Sequence, residues 1–259
     1  MRGYSTLLGI NKLLCSIKCK FQNVRPLFGD LSYKTVIKER GVMIMENTVR
    51  FDGGKYIGKI KDDQPDGFGT WESDCGTRYK GEWENGKKNG KGTLTLPNGT
   101  IFTGNFKDDW MNGHGDVTYP NGIQYKGEWK NHIWHGIGKL INSDGCEYEG
   151  LWENNMLQGK GTIKYPDGSK YEGNIKDGKM HGKGVFFWPN GRKYVGDFKD
   201  NKQHGHGVMY EDEKIIYEGE HKYGLPDGKG KIVHPSGIVE EGVWENGEFS
   251  VVRQYYIDN

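Results

Sequence analysis

Apolar and polar residues alternate over short stretches of this chain. In the stretch 79–84, YKGEWE, aromatic and small residues alternate with charged ones, and the stretch 91–96, KGTLTL, alternates in the same way. A period of two residues is typical of a β-strand with one apolar and one solvent-facing side. Turn-forming residues occupy 85–90, NGKKNG, and 97–99, PNG. The sequence therefore predicts a β-hairpin followed by a second turn.

This hairpin recurs at a fixed interval. The aromatic residue that opens each copy, here called the opener, is repeated after 79 − 56 = 23 residues, and every later step is also 23. The eight openers are Tyr56, Tyr79, Phe102, Tyr125, Tyr148, Tyr171, Tyr194 and Tyr217. A glycine follows each opener by two residues, and a Gly-x-Gly pair comes later in each copy. A constant period between 20 and 50 residues is typical of a stacked repeat architecture.

The predicted fold is all-β. A single hairpin is only marginally stable in water, so successive copies are expected to pair edge to edge into an elongated, single-layer antiparallel β-meander. Two strands of about 4.8 Å each advance the sheet by about 10 Å per copy, or about 75 Å for the array. Glycines such as Gly81 and Gly92 would leave room for aromatic rings to lie over the backbone.

The chain divides into three predicted segments. Residues 1–46 form a basic N-terminal segment, residues 47–247 hold the repeat array with flanking half-repeats, and residues 248–259 are expected to cover the last open edge of the sheet. The N-terminal segment has Lys and Arg in excess, with eight against three acidic residues. Its apolar residues recur at steps of three and four, as on one face of a helix: Leu7, Ile10, Leu14, Ile17 and Phe21.

The N-terminal pattern has several interpretations. Residues 1–30 fit an organellar targeting peptide, a helix on a membrane surface, or a helix that binds a partner. They also fit a helix that packs over the first edge strand, or a disordered extension before a start near Met43 or Met45. These alternatives stay open at the level of sequence.

Composition narrows the class of protein. With 42 glycines and 34% hydrophobic residues, the chain has too little apolar side chain for a thick globular core. Residues 47–259 hold 28 basic and 32 acidic residues, which argues against a nucleic-acid-binding array. No apolar run reaches the roughly 18 residues of a membrane-spanning helix, so a soluble or peripherally attached protein is expected. The cysteines lack disulfide-framework spacing and predict reduced thiols in an intracellular protein: Cys15, Cys19, Cys75 and Cys146.

The repeat resembles a known family. The pattern Tyr-x-Gly-x-Trp-x-x-Gly-x-x-x-Gly-x-Gly, closed by Pro-Asn/Asp-Gly, is similar to the membrane occupation and recognition nexus (MORN) repeat and covers about residues 47–247. The resemblance implies a scaffold, because similar repeats in junctophilins, radial spoke head proteins, plant phosphatidylinositol phosphate kinases and one histone methyltransferase hold partner proteins or approach phospholipid. Three residues depart from the pattern, which predicts atypical final hairpins: Lys214, His221 and Glu240.

Candidate catalytic and ligand sites are weak. The segment 86–91, GKKNGK, lacks the spacing and the Ser or Thr of a phosphate-binding loop. His204 and His206 could form half of a metal site, but no third ligand is indicated. No nucleophile, base and orienting acid can be combined. The sequence predicts a protein without enzymatic activity, cofactor, metal or small-molecule substrate.

Two sets of residues are candidates for partner binding. The first set consists of groove aromatics, expected on one face of the sheet: Tyr79, Trp83, Phe102, Phe106, Tyr125, Trp129, Tyr148, Trp152 and Tyr171. The second set lies eight and nine residues after the openers, at predicted turn tips, and would form an exposed apolar ridge: Trp110, Met111, Ile133, Trp134, Met156, Leu157 and Met180. The alternative for the second set is that these side chains fold back over the aromatic face.

The leading functional hypothesis is a nonenzymatic scaffold that binds a helix or peptide of a partner protein along the aromatic groove. The alternatives are a peripheral tether to a phospholipid membrane and a regulatory subunit of a separate enzyme. Nucleic acid is not an expected partner. We expect a cytoplasmic location, with cytoskeletal, ciliary, peripheral-membrane or organellar placement as further options.

Overall fold

The computed structural model describes residues 33–39 and 42–256, with side-chain environments from Thr48 onward. All regular elements in this part are β-strands. They are β1 (Tyr33–Glu39), β2 (Val42–Phe51), β3 (Gly54–Lys61), β4 (Gln64–Ser73), β5 (Arg78–Glu84), β6 (Lys87–Thr95), β7 (Ile101–Lys107), β8 (Trp110–Thr118), β9 (Gln124–Lys130), β10 (Ile133–Ile141), β11 (Glu147–Glu153), β12 (Met156–Lys164), β13 (Lys170–Lys176), β14 (Lys179–Phe187), β15 (Lys193–Lys199), β16 (Lys202–Glu211), β17 (Lys214–Lys222), β18 (Leu225–Val233), β19 (Ile238–Glu245) and β20 (Glu248–Tyr256).

The strands form one 20-stranded antiparallel sheet in which each strand pairs with the next in sequence. Packing contacts are likewise concentrated between consecutive strands. The predicted all-β meander of stacked hairpins is therefore confirmed. Each copy contributes two strands, and the sheet grows along one direction.

The hairpin tips are tighter than the sequence suggested. Asn85 and Gly86 have φ values of 49° and 76°, so they form a two-residue turn with both φ angles positive. The predicted six-residue turn at 85–90 is therefore wrong, because β6 begins at Lys87. The other end of the copy has a longer turn, in which the Gly99 N–H donates to the Leu96 carbonyl and Gly99 has φ 87°.

A continuous row of glycines crosses the sheet. Each strand from β3 to β19 places one glycine opposite a glycine of its neighbour, as in Gly69 with Gly81 and Gly81 with Gly92. We call this row the glycine spine: Gly58, Gly69, Gly81, Gly92, Gly104, Gly115, Gly127, Gly138, Gly150, Gly161, Gly173, Gly184, Gly196, Gly207, Gly219, Gly230 and Gly242. In most copies the ring of the opening tyrosine lies over this row. The expected role of the glycines in making room for aromatic rings is confirmed.

The hydroxyl of the opening tyrosine also provides a hydrogen bond where the strand is distorted. Pairing between the two strands of each hairpin slips just after the spine glycine, for example between Gly81 and Trp83. The Tyr79 hydroxyl donates to the carbonyl of Glu82, the residue in this slip, at 3.0 Å. The same bond recurs with the opening tyrosines Tyr56, Tyr125, Tyr171, Tyr194 and Tyr217. Each of these six tyrosines thus packs over its own strand and completes its hydrogen bonding.

The tryptophan four residues after the opener connects copies. The indole N–H of Trp129 donates to the Gly115 carbonyl at 2.7 Å, and that of Trp152 donates to the Gly138 carbonyl at 2.8 Å. Each acceptor is a spine glycine of the preceding copy. We call the side of the sheet that carries these rings the aromatic face and the opposite side the outer face.

The N-terminal boundary of the array differs from the prediction, whereas the last strand, β20, begins at Glu248, the first residue of the segment expected to cover the edge. The boundary at residue 47 falls inside β2, and β1 lies entirely within the N-terminal segment, so the sheet begins before the first half-repeat. The helix predicted from Leu7 to Phe21 lies outside the described residues. At the other end, β20 pairs with β19 along its length and becomes the new edge strand.

The last copies keep the hairpin form despite their unusual residues. Lys214 begins β17, and Asp212 and Glu213 form a two-residue turn in place of the usual closing turn. His221 is buried and its ring packs edge-on against Tyr194 and Tyr217 at 5.0 and 5.2 Å. The final hairpins are therefore atypical in one closing turn, one ring and a register shift between Met209 and Tyr210, but they remain antiparallel hairpins.

Candidate functional site

The aromatic face is closed by its own side chains. Of the nine predicted groove aromatics, Tyr148 is partly buried. The other eight are buried: Tyr79, Trp83, Phe102, Phe106, Tyr125, Trp129, Trp152 and Tyr171. Their rings meet edge to face, as in Tyr79 with Trp83 and Tyr79 with Phe106, both at 5.1 Å. Rings of the same or a neighbouring copy pack against most of them, as Tyr125 and Trp134 do against Trp152. The expected open aromatic groove is therefore absent from these residues.

The predicted tip residues separate into two groups. The residue nine positions after the opener points into the aromatic face and is buried: Met111, Trp134, Leu157 and Met180. Trp134 stacks on Tyr125 with ring centroids 4.5 Å apart, and the Met111 methyl fills the space that a side chain on Gly115 would take. The expectation of an exposed ridge is wrong for these four residues. The alternative, that they fold back over the aromatic face, describes their position.

Strand alternation explains this separation. The turn contains only two residues, so both predicted tip residues belong to the following strand. Neighbouring side chains of a strand point to opposite faces. The residue eight positions after the opener therefore lies on the outer face. Trp110 is 51% exposed, Ile133 36% and Met156 40%.

Two further apolar residues extend this exposed group. Ile137 and Leu151 lie opposite each other in the pairing of β10 with β11 and are 62% and 38% exposed. Neither residue is among the sequence-predicted candidates, although Ile137 stands between the two glycines of a Gly-x-Gly pair, where most copies have Lys or His. We call the five residues Trp110, Ile133, Ile137, Leu151 and Met156 the outer apolar patch. It covers the central copies, from β8 to β12.

Charges around the patch differ from those of the flanking copies. At the position of Trp110, the second and sixth copies have Lys87 and Lys179, which pair with Asp108 and Asp200 of the next copy at 3.3 and 3.7 Å. In the third and fourth copies the lysine is replaced by an apolar residue, and the next copy provides asparagine instead of aspartate. The ion pairs that bridge adjacent tips elsewhere are thus absent beside Trp110 and Ile133.

A charged side chain lies opposite each of the three tip residues of the patch. Lys107 lies opposite Trp110, Lys130 opposite Ile133, and Glu153 opposite Met156. All three are exposed. Within residues 48–256, none of these three forms an ion pair. Their charges therefore remain available to a bound molecule.

Hydrogen bonds between tips hold the patch in place. The Met111 N–H donates to Nδ1 of His132 at 3.0 Å, and the His132 N–H donates back to the Met111 carbonyl at 3.0 Å. We call this reciprocal pair of bonds the tip clamp. Asp109, Asn155 and Asn201 provide the same side-chain acceptor for other copies.

His132 also contacts the patch. Its imidazole lies 5.0 Å from the Trp110 ring. Burial and the charge of Lys88 lower the pKa of His132 to about 4, while Asp109 acts in the opposite direction. At neutral pH the ring is therefore uncharged and can accept the Met111 hydrogen bond.

The described residues do not bring the candidate metal ligands together. His206 approaches Glu218 at 3.8 Å, whereas the His204 ring packs near Tyr223, so the two histidines do not share a site. Among the described residues, no group of three or more His, Cys, Asp or Glu could hold a metal ion. Shallow depressions of about 410 Å³ occur on the outer face around Lys160 and Gly173, without a cluster of catalytic groups.

The two described cysteines are free thiols. Hydrogen bonds from Ser73 and Thr77 lower the pKa of the exposed Cys75, and burial raises the pKa of Cys146 to about 11. Cys15 and Cys19 lie outside the described residues. In the part of the chain that the structure describes, no helix has the length and hydropathy needed to cross a membrane.

Comparison with family models assigns the repeat. The model of the MORN repeat matches residues 56–74, 79–101, 102–124, 125–147, 148–170, 171–191, 194–212 and 217–239. The chain belongs to the MORN repeat family. The eight MORN repeats coincide in phase with the eight openers, so the predicted resemblance is confirmed. The last MORN repeat includes His221, in agreement with its hairpin structure.

The MORN array has only distant similarity to the solved structure described below. No curated protein matches the chain. Among solved structures, the chain is similar to the TCP domain of SAS-4 (dCPAP) of Drosophila melanogaster, in a complex with a proline-rich motif of Ana2 (dSTIL). That similarity has 15% sequence identity and a TM-score of 0.34, and it covers 63% of this chain and 84% of the other. It is too distant to indicate how the MORN array binds.

Proposed function

We propose that the protein is a nonenzymatic scaffold that binds a partner protein through the outer apolar patch. The observation that carries the proposal is the exposure of Trp110 at a tip position where the second and sixth copies carry lysine. The proposed binding site thus lies on the outer face of the sheet, opposite the aromatic groove that the sequence favours. Trp110, Ile133 and Met156 of the original ridge remain in it.

The energetics of the patch support this proposal. Fully burying a large apolar side chain stabilises a complex by about 1.5–3 kcal/mol, so several such residues can supply a useful affinity. Tryptophan is also enriched among residues that dominate protein interfaces. The tip clamp orders the patch before binding, which lowers the entropic cost of association. Exposed apolar residues bordered by charge are typical of an interaction surface.

Capture of partners from the native cell tests the proposal. Trp110→Ala should reduce capture about tenfold, as expected for loss of a residue that dominates an interface, without changing the circular dichroism spectrum. Lys179→Ala alters the same position of the sixth copy and serves as the matched control, with capture unchanged. Equal capture by wild type, Trp110→Ala and Ile137→Ala would exclude the patch as the binding surface.

A membrane surface is the second candidate for the same patch. Exposed Lys107 opposite Trp110 and Lys130 opposite Ile133 resemble the combination of basic and apolar residues found at membrane interfaces. Co-sedimentation with vesicles of phosphatidylcholine and phosphatidylserine separates the two candidates. If the full chain binds vesicles and Trp110→Ala does not, the membrane replaces the partner protein. Sedimentation that Trp110→Ala leaves unchanged would remove this candidate.

A further inference from the structure

The spacing of the outer apolar patch points to the shape of its partner. Trp110, Ile133 and Met156 each occupy the first position of β8, β10 and β12, so consecutive members are separated by two strands. Two strand spacings amount to about 9.6 Å. Seven residues of an α-helix rise by about 10.5 Å, which matches this distance closely.

We propose that the partner binds as an α-helix that lies along the sheet, at right angles to the strands, with apolar residues every seven positions. This inference rests on the proposed function and specifies its partner. One apolar residue of each heptad would contact one MORN copy. Two heptad steps, or about fourteen residues, would reach from Trp110 to Met156.

An extended peptide fits this spacing poorly. About three residues of a β-strand cover the distance between copies, but residues three apart in a strand point to opposite faces. Only every second contact could then be made. A polyproline II helix has a suitable repeat of about 9.3 Å, but grooves that recognise it are lined by aromatic residues. Here Trp110 is the only aromatic residue among the five of the patch.

The width of the patch also suits a helix. Ile133 and Ile137 both lie on the outer face of β10, four residues apart, which corresponds to at most about 13 Å. A helix with its side chains is about 10–12 Å across. One helix can therefore contact the row of Trp110, Ile133 and Met156 and, along its side, the pair Ile137 and Leu151.

The bordering charges define the polar residues of the helix. Lys107 and Lys130 lie beside the first two contact positions, and Glu153 lies beside the third. Complementary charges require acidic residues next to the first two apolar positions and a basic residue next to the third. Because the charge changes sign along the sheet, this arrangement also favours one direction of the helix.

Photo-crosslinking measures the spacing directly. Benzoylphenylalanine replaces Trp110, Ile133 or Met156 singly in the full chain, expressed in its native cells, and adducts are mapped by mass spectrometry. The expected result is one partner segment with crosslinked residues shifted by about seven per copy, and about fourteen between positions 110 and 156. The same probe at Lys87 and Lys179 is the control, and its adducts should be at least tenfold weaker.

Different failures have different meanings. Adducts shifted by about three residues per copy would overturn the helix and retain a partner on the patch. Three other outcomes would overturn the proposed helical partner. They are adducts to lipid, adducts within the array of a second copy of this chain, and no adduct at any of the three positions. Lipid adducts or none would also remove the partner protein. Lys130→Glu with the probe at position 133 should lower the yield about tenfold, and an unchanged yield would contradict the charge arrangement.

Discussion

At the scale of single residues, the opening tyrosine has two roles that its sequence position does not reveal. Its ring covers the glycine spine, and its hydroxyl satisfies a carbonyl at the strand slip. The alternating pattern was sufficient to predict the ring on an apolar face. It could not predict the hydroxyl bond, because that bond depends on the slip in pairing after Gly81.

Removing one hydroxyl tests this role. Tyr79→Phe keeps the ring over the spine but leaves the Glu82 carbonyl without its donor, so the free energy of unfolding should fall by about 1 kcal/mol. Denaturant unfolding followed by circular dichroism measures the change. Tyr223→Phe removes the same atom from an exposed side chain and should have no effect. Equal stability of both variants would contradict the role of the hydroxyl.

The glycine spine provides a second test. A Cβ on Gly92 would overlap the hydroxyl and ring of Tyr79, although Gly92 lies outside the left-handed region of φ. Gly53 has φ 66° and no atom near an added Cβ, so Gly53→Ala should cost only about 1–2 kcal/mol of backbone strain. Gly92→Ala should be more destabilising, because the buried ring must move. A smaller loss in melting temperature for Gly92→Ala would argue against the spine.

At the scale of the hairpin, the length of the turn determines which face of the sheet each following side chain occupies. The prediction that Tyr79, Trp83 and Leu94 lie on the apolar face is correct, because regular alternation surrounds them. The prediction of Trp134 at an exposed tip is wrong, because the turn consists of Asn131 and His132 alone and β10 begins at Ile133. Glycine at either end of a loop fits several turn lengths, and each change of one residue reverses the face of the residues that follow.

The tip clamp makes one hairpin contact sensitive to pH. The pKa of His132 falls from 6.5 to about 4 on folding, so folding favours the neutral ring. The resulting stabilisation is complete above pH 6.5 and is lost as the pH decreases towards 4, by up to roughly 3 kcal/mol. Protonation of Nδ1 also removes the acceptor for the Met111 N–H.

Replacing the histidine should remove this sensitivity. His132→Asn retains an acceptor, since Asn155 and Asn201 fulfil this role in other copies. Hydrogen exchange of the Met111 amide, corrected for intrinsic rates, should become faster between pH 6.5 and 4 in wild type and change less in the variant. The acid response of His221 is present in both proteins and cancels. An identical pH dependence in the two would exclude His132 as its source.

At the scale of the whole molecule, stability depends on contacts between neighbouring copies. Each copy packs on the copies beside it, so a weak copy lowers stability mainly near itself. His221 is such a point: it is buried, and in the described part of the chain its Nδ1 has no hydrogen-bond partner. Trp129 and Trp152 at the same position donate to a glycine carbonyl fourteen residues earlier.

A tryptophan at this position should strengthen the C-terminal end. His221→Trp places an indole N–H within reach of the Gly207 carbonyl and adds buried apolar area, which should stabilise β17 and β18 by about 1–2 kcal/mol. His221→Phe adds area without the hydrogen bond and should give a smaller gain. Hydrogen exchange should slow in β17 and β18 and stay unchanged in β5 and β6. Uniform slowing along the array would contradict neighbour-limited stability.

The pairing of every strand with its sequence neighbour gives the array a defined response to mechanical force. Hydrogen bonds between antiparallel strands run perpendicular to the strands, and therefore along the direction in which the sheet grows. Tension between its two ends loads these bonds one strand at a time rather than all together. The array would then extend hairpin by hairpin, and each 23-residue copy would release about 70 Å of chain. A partner bound at the central copies would therefore be joined to either end of the array by an element that lengthens under tension.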